Sequence, residues 1–409
     1  MMFKRLTMPS WLNKNIVALG FTSLFSDLGH EMTTALLPAF IISIGGSPSI
    51  LGFIEGCADA ATSFIKIIAG WYSDYTGKRK PIAAFGYLTT ALGIGLLTFT
   101  TTWPQVFFAR IIAWMGKGLR KPARDALLAD SIPSDQGKQY YGRIYGFHRA
   151  MDSIGAIGGP ALAVLLMGYC SLRTMLFISF FPEFIAFCII LFLVTDSPKK
   201  EIVRQGFFAS ALALPYTFII FLIAVCIFGI GNFAMSLFML RAIQLLTPTH
   251  GATAAHGITI MCYALYNFIY ALGSLPLGYL GDLMNKKVLL AIGYALTATT
   301  YVCLIFNPTS VIAIALLFIL AGIGIAITDG TERATAAELL PEQVRGTGFG
   351  SLSFIEGIGD FASSIMVGLL WTNVSPAYGF LYASITCFLG ALCMLYIAVR
   401  DQKSLTQKG

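Results

Sequence analysis

The chain has 409 residues, of which 56% are hydrophobic and only 11% charged, and its mean hydropathy is +0.76. Soluble domains carry about a quarter charged residues, so the composition excludes a water-soluble globular protein and points to a lipid bilayer. The formal charge of +7 comes with no aromatic stacking platform or nucleic-acid module, which excludes nucleic acid as a partner and leaves the excess to membrane topology.

A spanning helix takes about 20 apolar residues. Windows of that length recur between short polar or Pro/Gly breaks at approximately 15–42, 48–74, 80–101, 103–130, 140–168, 172–195, 213–246, 252–281, 286–306, 309–338, 344–371 and 376–399. Pro48, Pro81, Pro104, Pro308 and Pro376 stand where segments begin, as expected for a residue tolerated in the first helical turn. The first segment is too long for a signal-peptide core and carries charges, so it is expected to remain as a helix. The eight cysteines are scattered without C-x-x-C spacing and read as packing residues rather than a zinc module or disulfide framework.

In the first segment Asp27 and Glu31 are four apart and share one helix face, with His30 beside them. In the second, Glu55 and Asp59 repeat that spacing and Lys66 continues the stripe. The second segment ends in Gly70-Trp-Tyr-Ser-Asp74-Tyr-Thr-Gly77-Lys78-Arg79-Lys80, a tight basic turn. On the fourth, Arg110, Lys117, Arg120 and Arg124 form a basic stripe that leads to Asp125 and Asp130; opposed stripes predict pairing within the amino-terminal bundle. On the fifth, His148 and Arg149 lie one turn before Asp152. The longest polar interruption, from Asp196, divides the chain into an expected amino-terminal bundle (1–195), a linker (196–212) and a carboxy-terminal bundle (213–409). The second half offers Asn232, Glu356 and Asp360, and Tyr263, Tyr266, Asn267 and Tyr270 recur at helical spacing.

The halves repeat one another. Gly278, Asp282 and Asn285-Lys286-Lys287 restate the turn at 70–80, Gly322 and Gly324 restate Gly116 and Gly118, and Glu356-Gly-Ile-Gly359 restates Asp152-Ser-Ile-Gly155, at offsets of 204 to 208 residues. Lysines and arginines of the connecting loops fall on one side of the twelve-span arrangement, and the opposite loops hold only Arg173. By the positive-inside rule both termini are expected in the cytoplasm.

Ionised residues cost roughly +2.5 to +3.5 kcal/mol at a helix centre even on the milder insertion scales, so the intramembrane charges must be paired or face a watered cavity. Asp27, His30, Glu31, Asp59, Arg149 and Asp152 are read as one midplane constellation, with Arg110 joined to it. A carboxylate in a poorly solvated site holds its proton tightly and an adjacent guanidinium loosens it, so such a set suits proton exchange. Static ion pairs that lock the helices are the alternative, and the two are not exclusive. Glu55, Arg149, Asn232, Tyr263, Tyr266, Asn267, Glu356 and Asp360 are the candidates for a substrate cavity. No tight spacing of histidines and carboxylates supports a metal, and no phosphate loop, nucleophile elbow or zinc-protease motif appears, so no enzyme activity is expected.

The turn at 70–80, with Gly70, Asp74, Gly77, Arg79 and Lys80, resembles the signature loop of the major facilitator superfamily, and Gly278 with Asp282 resembles its second copy. The run from Arg110 through Gly116 and Gly118 resembles the fourth-helix motif whose arginine is linked to proton coupling. Gly146, Gly155 and Gly159-Pro160 resemble the fifth-helix motif of proton-driven antiporters, with Ala163 and Val164 where that motif has two glycines. Asp27 to Leu37-Pro38 resembles the twelve-span drug/proton antiporter branch. The resemblance implies an all-α integral membrane protein with twelve transmembrane helices in two pseudo-symmetric six-helix bundles, the major facilitator fold. It also implies that Arg120, Arg124, Asp125 and Asp130 join the basic turn in a cytoplasmic gate.

The expected function is proton-coupled secondary active transport of a small molecule by alternating access, as a substrate/proton antiporter that exports. The proton gradient is the energy source, no cofactor is needed, and a monomer in the plasma (bacterial inner) membrane is expected. Two alternatives stay open: proton-linked import of an anionic solute such as an organic acid or iron chelate, suggested by Arg110, Lys117, Arg149, Arg241 and Arg333, and a transporter-like sensor, which would need a sizeable soluble region that the short tails do not offer.

Overall fold

The computed structural model describes residues 12–76, 78–131, 141–196, 214–341 and 345–406, and every regular element among them is a helix. Six helices form the first bundle: α1 (Lys14–Ser43), α2 (Pro48–Thr76), α3 (Arg79–Leu97), α4 (Trp103–Asp130), α5 (Tyr141–Leu166) and α6 (Leu172–Leu193). The second bundle holds α7 (Tyr216–Gly229), α8 (Met235–His250), α9 (Ala252–Leu283), α10 (Lys286–Ile305), α11 (Val311–Leu339), α12 (Arg345–Asn373) and α13 (Pro376–Thr406). Apart from Asp196, the expected linker lies outside the described residues.

Local chemistry sets several helix starts. The Asn13 side chain accepts from the Ile16 N–H at 2.9 Å, and the Ser171 hydroxyl accepts from the Thr174 N–H at 3.1 Å. Asn285, at the second basic turn, accepts from the Lys287 N–H at 2.9 Å and so caps α10. Among the described residues eight helices are long and apolar enough to cross a membrane by length and composition. The charge-bearing α1, α2 and α4 fall outside that set, as do the two short pieces of the seventh span.

That seventh span corrects the single helix expected over 213–246: the chain leaves the helix at Ile230–Ala234 and resumes as α8. Glycines bring the break tight against its neighbours, because a Cβ on Gly231 would meet Thr386 Oγ1 at 2.0 Å and the Ala383 carbonyl at 2.6 Å. The freed backbone groups find partners on α12, which is what makes a break tolerable away from water. Ser363 Oγ donates to the Asn232 carbonyl at 2.9 Å, and the Ala234 N–H donates to Ser364 Oγ at 3.0 Å.

The sequence repeat has a packing cause. Gly155 of α5 lies on the Leu24 carbonyl of α1, and its counterpart Gly359 of α12 lies on Gly229 of α7, so each glycine lets the fifth helix of its half approach the first. Between halves, α2 packs on α12 and α5 on α9, two contacts that exchange under the pseudo-twofold relation.

The two ends of the molecule differ. Opposite the basic loops, one apolar core joins both halves: Leu36, Phe40 and Ile41 of α1 and Leu51 and Ile54 of α2 are fully buried together with Leu237 and Leu240 of α8 and Val367 of α12. At the basic-loop end Ile16, Leu19, Tyr87, Leu127 and Ile144 form a core within the first half alone. Among the described residues, a shared apolar core therefore seals the interface at one end and not at the other. Gly52 of α2 is part of the seal, since a Cβ there would sit 2.2 Å from the Ser364 carbonyl. Gly52→Ala is expected to disfavour the sealed arrangement by about 1–3 kcal/mol, the usual cost of overpacking. Spin labels at that end of α2 and α12 should then report longer distances; an unchanged distribution would refute the assignment.

Candidate functional site

The basic-loop end holds a cavity of about 580 Å³ to which both halves contribute. From the first half come Asp27 and Glu31 of α1, Lys117, Arg120, Lys121 and Arg124 of α4, and His148, Arg149 and Asp152 of α5; from the second come Tyr270 of α9 and Asp329 and Arg333 of α11. The walls are charged rather than apolar, as a watered cavity requires.

Helix α4 supplies the basic stripe, and each of its charges has a different partner. Arg110, fully buried, donates to Glu55 from Nε at 2.7 Å and from Nη2 at 3.0 Å, and reaches Thr34 Oγ1 at 3.3 Å. Its guanidinium lies 3.2 Å from the centroid of the Trp114 ring. Lys117 donates to His30 Nε2 at 2.9 Å, and the His30 ring lies 4.4 Å from that of Trp114. Arg120 donates to Glu183 Oε2 of α6 at 2.9 Å and to Ser26 Oγ. Arg124 pairs with Asp125 at 2.9 Å and stands 3.8 Å from Asp152, whose carboxylate accepts from Ser23 Oγ. Asp27 lines the cavity with no hydrogen bond or ion pair to a described residue.

Three links cross between the halves beside this cavity. Tyr263 OH donates to Glu31, the Asn267 amide donates to the Ala156 carbonyl at 3.0 Å, and Arg149 meets both Tyr270 OH and, at 3.5 Å, Asp329. Tyr270 OH in turn donates to Asp329 at 2.7 Å, and Arg333 pairs with the same carboxylate at 3.0 Å.

The expected constellation thus divides. Asp27, Glu31, Arg149 and Asp152 share the large cavity, but Asp59 does not: it accepts from Trp114 Nε1 at 3.0 Å and lines a second cavity of about 200 Å³ with Asn232, Tyr266 and Asp360. His30 is buried against Trp114 and Lys117. Of the other candidates, Glu55 is committed to Arg110 and Tyr263 to Glu31. Glu356 lines a third space of about 200 Å³ with Asp360 and Glu332, and Glu332 accepts from Tyr294 OH at 2.6 Å. The physical reason is rotation about each helix axis, which linear spacing alone does not set for neighbouring helices.

At the basic turn, Arg79 donates to the Ala126 carbonyl at 3.1 Å and the Lys80 N–H reaches Asp196 at 3.5 Å. Arg120 does not join the turn but points inward to Glu183, and Arg124 likewise serves Ser23 and Asp125. Gly70 faces Pro122, and Gly278 has open space about its Cα. Gly77 and the side chains of Asp74, Asp130 and Asp282 lie outside the described residues. On α5, Gly155 and Gly159 press against α1 beside the buried Pro160, whereas nothing lies within 4 Å of a Cβ built on Gly146.

Sequence reasoning missed two hubs. Glu183 is the only carboxylate of its span, and such an isolated carboxylate was the available signal. Trp114 carries Arg110, Lys117, His30 and Asp59 at once, and nothing in the sequence distinguishes it from a lipid-facing tryptophan. Among the described residues no group of three or more His, Cys, Asp or Glu is placed to hold a metal ion.

The family model described as Major Facilitator Superfamily matches residues 19–246 and 242–409. An uncharacterized MFS-type transporter of Methanocaldococcus jannaschii is 31% identical over 388 residues, covering 94% of this chain and 95% of its own. The quinolone resistance protein NorA of Staphylococcus aureus is 25% identical over 190 residues, 46% of this chain and 47% of its own. Among solved structures, a mutant of the nucleoside transporter NupG superposes with a TM-score of 0.80 at 13% identity, covering 94% of this chain and 100% of that one. The POT family transporter PepTSo gives 0.77 at 12% identity, with 97% and 99% covered. At those identities the structural likeness bears on the fold.

Proposed function

Because this chain belongs to the major facilitator superfamily, and is therefore a membrane transporter rather than an enzyme, we propose that it exchanges a small molecule for protons by alternating access and exports that molecule. The observation that carries the reading is the charged cavity on the basic-loop side of the shared apolar core, where Asp27, Glu31 and Asp152 stand among lysines and arginines of the first half and Arg333 of the second. With those loops in the cytoplasm, both termini are cytoplasmic in the plasma membrane and the cavity faces inward, ready to load cytoplasmic solute. We take residues 1–195 and 213–409 as the two rocking units.

Asp27, free of any ion pair to a described residue, accepts the proton, and Asp152 exchanges its hold on Arg124 as charge in the cavity changes. The Glu31 to Tyr263 bond and the Arg149, Tyr270 and Asp329 cluster tie the halves beside the cavity, so their making and breaking transmits that change to the interface. Similarity to a quinolone resistance protein over about half the chain favours the outward direction. A solute first identified by thermal stabilisation should move uphill in proteoliposomes under an imposed proton gradient and stop when a protonophore is added. Flux indifferent to both gradient and protonophore would remove proton coupling.

A further inference from the structure

Two lysines in the membrane interior stand without any polar partner among the described residues. Lys66 of α2 and Lys121 of α4 make neither a hydrogen bond nor an ion pair there, although every other cation of the α4 stripe has a partner. The packing sets them side by side. Helices α2 and α4 run in the same direction and touch where a Cβ on Gly118 would meet the Thr62 carbonyl at 2.8 Å and Ile65 at 3.0 Å, and again where Gly70 faces Pro122 at 3.8 Å. Lys66 follows Thr62 by one turn and Lys121 follows Gly118 by about one turn, so both emerge between those two contacts at one level.

A third cation comes from the other half. Arg333 of α11 lines the same cavity as Lys121, and its Nε and Nη2 are used on Asp329 while Nη1 has no partner among the described residues. Lys66 and Lys121 repel one another, and the charge of Arg333 acts on both. Lys117 adds to the field at Lys66. The carboxylates that act against this repulsion, Glu356 and Asp59 for Lys66 and Asp125 for Lys121, form no ion pair with either lysine, and Asp125 is already held by Arg124. Like charges gathered at one place raise the energy of the protein unless an anion joins them.

We propose that Lys66, Lys121 and Arg333 form an oxyanion site bridging the two halves, which takes the carboxylate or phosphate group of the transported solute. This rests on the transport reading above and narrows its substrate class to small anions. An oxyanion seated there would draw α2 and α4 toward α11 and close the open end around the loaded solute, coupling occupancy to the conformational change.

The test uses full-length protein in phosphatidylcholine nanodiscs, with unfolding temperature measured in inorganic phosphate, citrate or chloride at matched ionic strength. Phosphate or citrate should raise it above chloride. In Lys66→Gln/Lys121→Gln that increment should vanish, with apparent affinity down about tenfold or more, a loss of at least 1.4 kcal/mol, while the variant in chloride should be as stable as the parent or more so because the repulsion is gone. Lys121→Arg should keep the increment. No increment with either anion, an increment that survives the double substitution, or a double variant that is less stable in chloride overturns the site. Stabilisation seen only when phosphatidylglycerol is added to the nanodiscs assigns the site to a lipid headgroup and overturns the solute. If the increment behaves as expected but flux ignores the proton gradient, coupling fails and the anion site stands.

Discussion

Asp152→Asn is expected to lower proton-driven flux by a factor of about 5 to 150, the range that a coupling free energy of 1–3 kcal/mol supplies, while facilitated movement down a solute gradient persists. The Asp152 carboxylate accepts from Ser23 Oγ and lies 3.8 Å from Arg124 in the wall of the large cavity. An asparagine can keep the Ser23 contact but neither carries charge toward Arg124 nor exchanges a proton. Asp27→Asn and Glu31→Gln should act in the same direction, and Glu31→Gln should also weaken the bond from Tyr263 that joins the halves. Measuring driven and undriven flux for each variant separates loss of coupling from loss of fold. Should all three transport with the parent's dependence on the proton gradient, the carboxylates of the cavity are static ion-pair members and the coupling lies elsewhere.

The second expectation concerns stability. Arg110→Ala should destabilise the protein by about 3–5 kcal/mol, the usual cost of removing one partner from a buried ion pair. Arg110 is 0% exposed and bonded twice to Glu55, and its guanidinium stacks 3.2 Å from the Trp114 centroid. Its removal strands the Glu55 charge, itself 4% exposed, between α1, α2 and α4. Arg110→Ala/Glu55→Gln should recover part of the loss because the stranded charge is gone, and thermal unfolding in detergent reads both. An Arg110→Ala protein as stable as the parent would refute a stabilising role for the Glu55–Arg110 pair. By contrast Arg149 and Asp329, with side chains 48% and 27% exposed, form a solvated pair worth little to stability. Their effect should be confined to flux.

Much of the architecture is legible in the amino-acid sequence. The apolar windows, the twofold repeat and the one-sided loop charges all rest on properties that each residue carries wherever its helix points. Fold and family follow from those. The seventh span shows the limit: no run of polar residues interrupts it from 216 to 246, so hydropathy reads one long helix, yet Gly231 and the serines Ser363 and Ser364 of a helix more than a hundred residues away make a break the better packing. The opposed stripes predicted pairing within the first bundle, and Glu55 with Arg110 meets that expectation. Arg120, however, finds Glu183 on α6 rather than the basic turn.

Residue type and order are enough to establish that this chain lives in a bilayer, spans it in two repeated halves and carries charges that need water or partners, because transfer energy and helical period depend on nothing else. Which charge meets which is a matter of packing, and it divides Asp59 from Asp27, Glu31 and Asp152 and leaves Lys66 and Lys121 without a partner among the described residues. Pairing across helices depends on the rotation and depth of each against its neighbours, and those are set where small residues such as Gly118 and Gly155 let backbones touch.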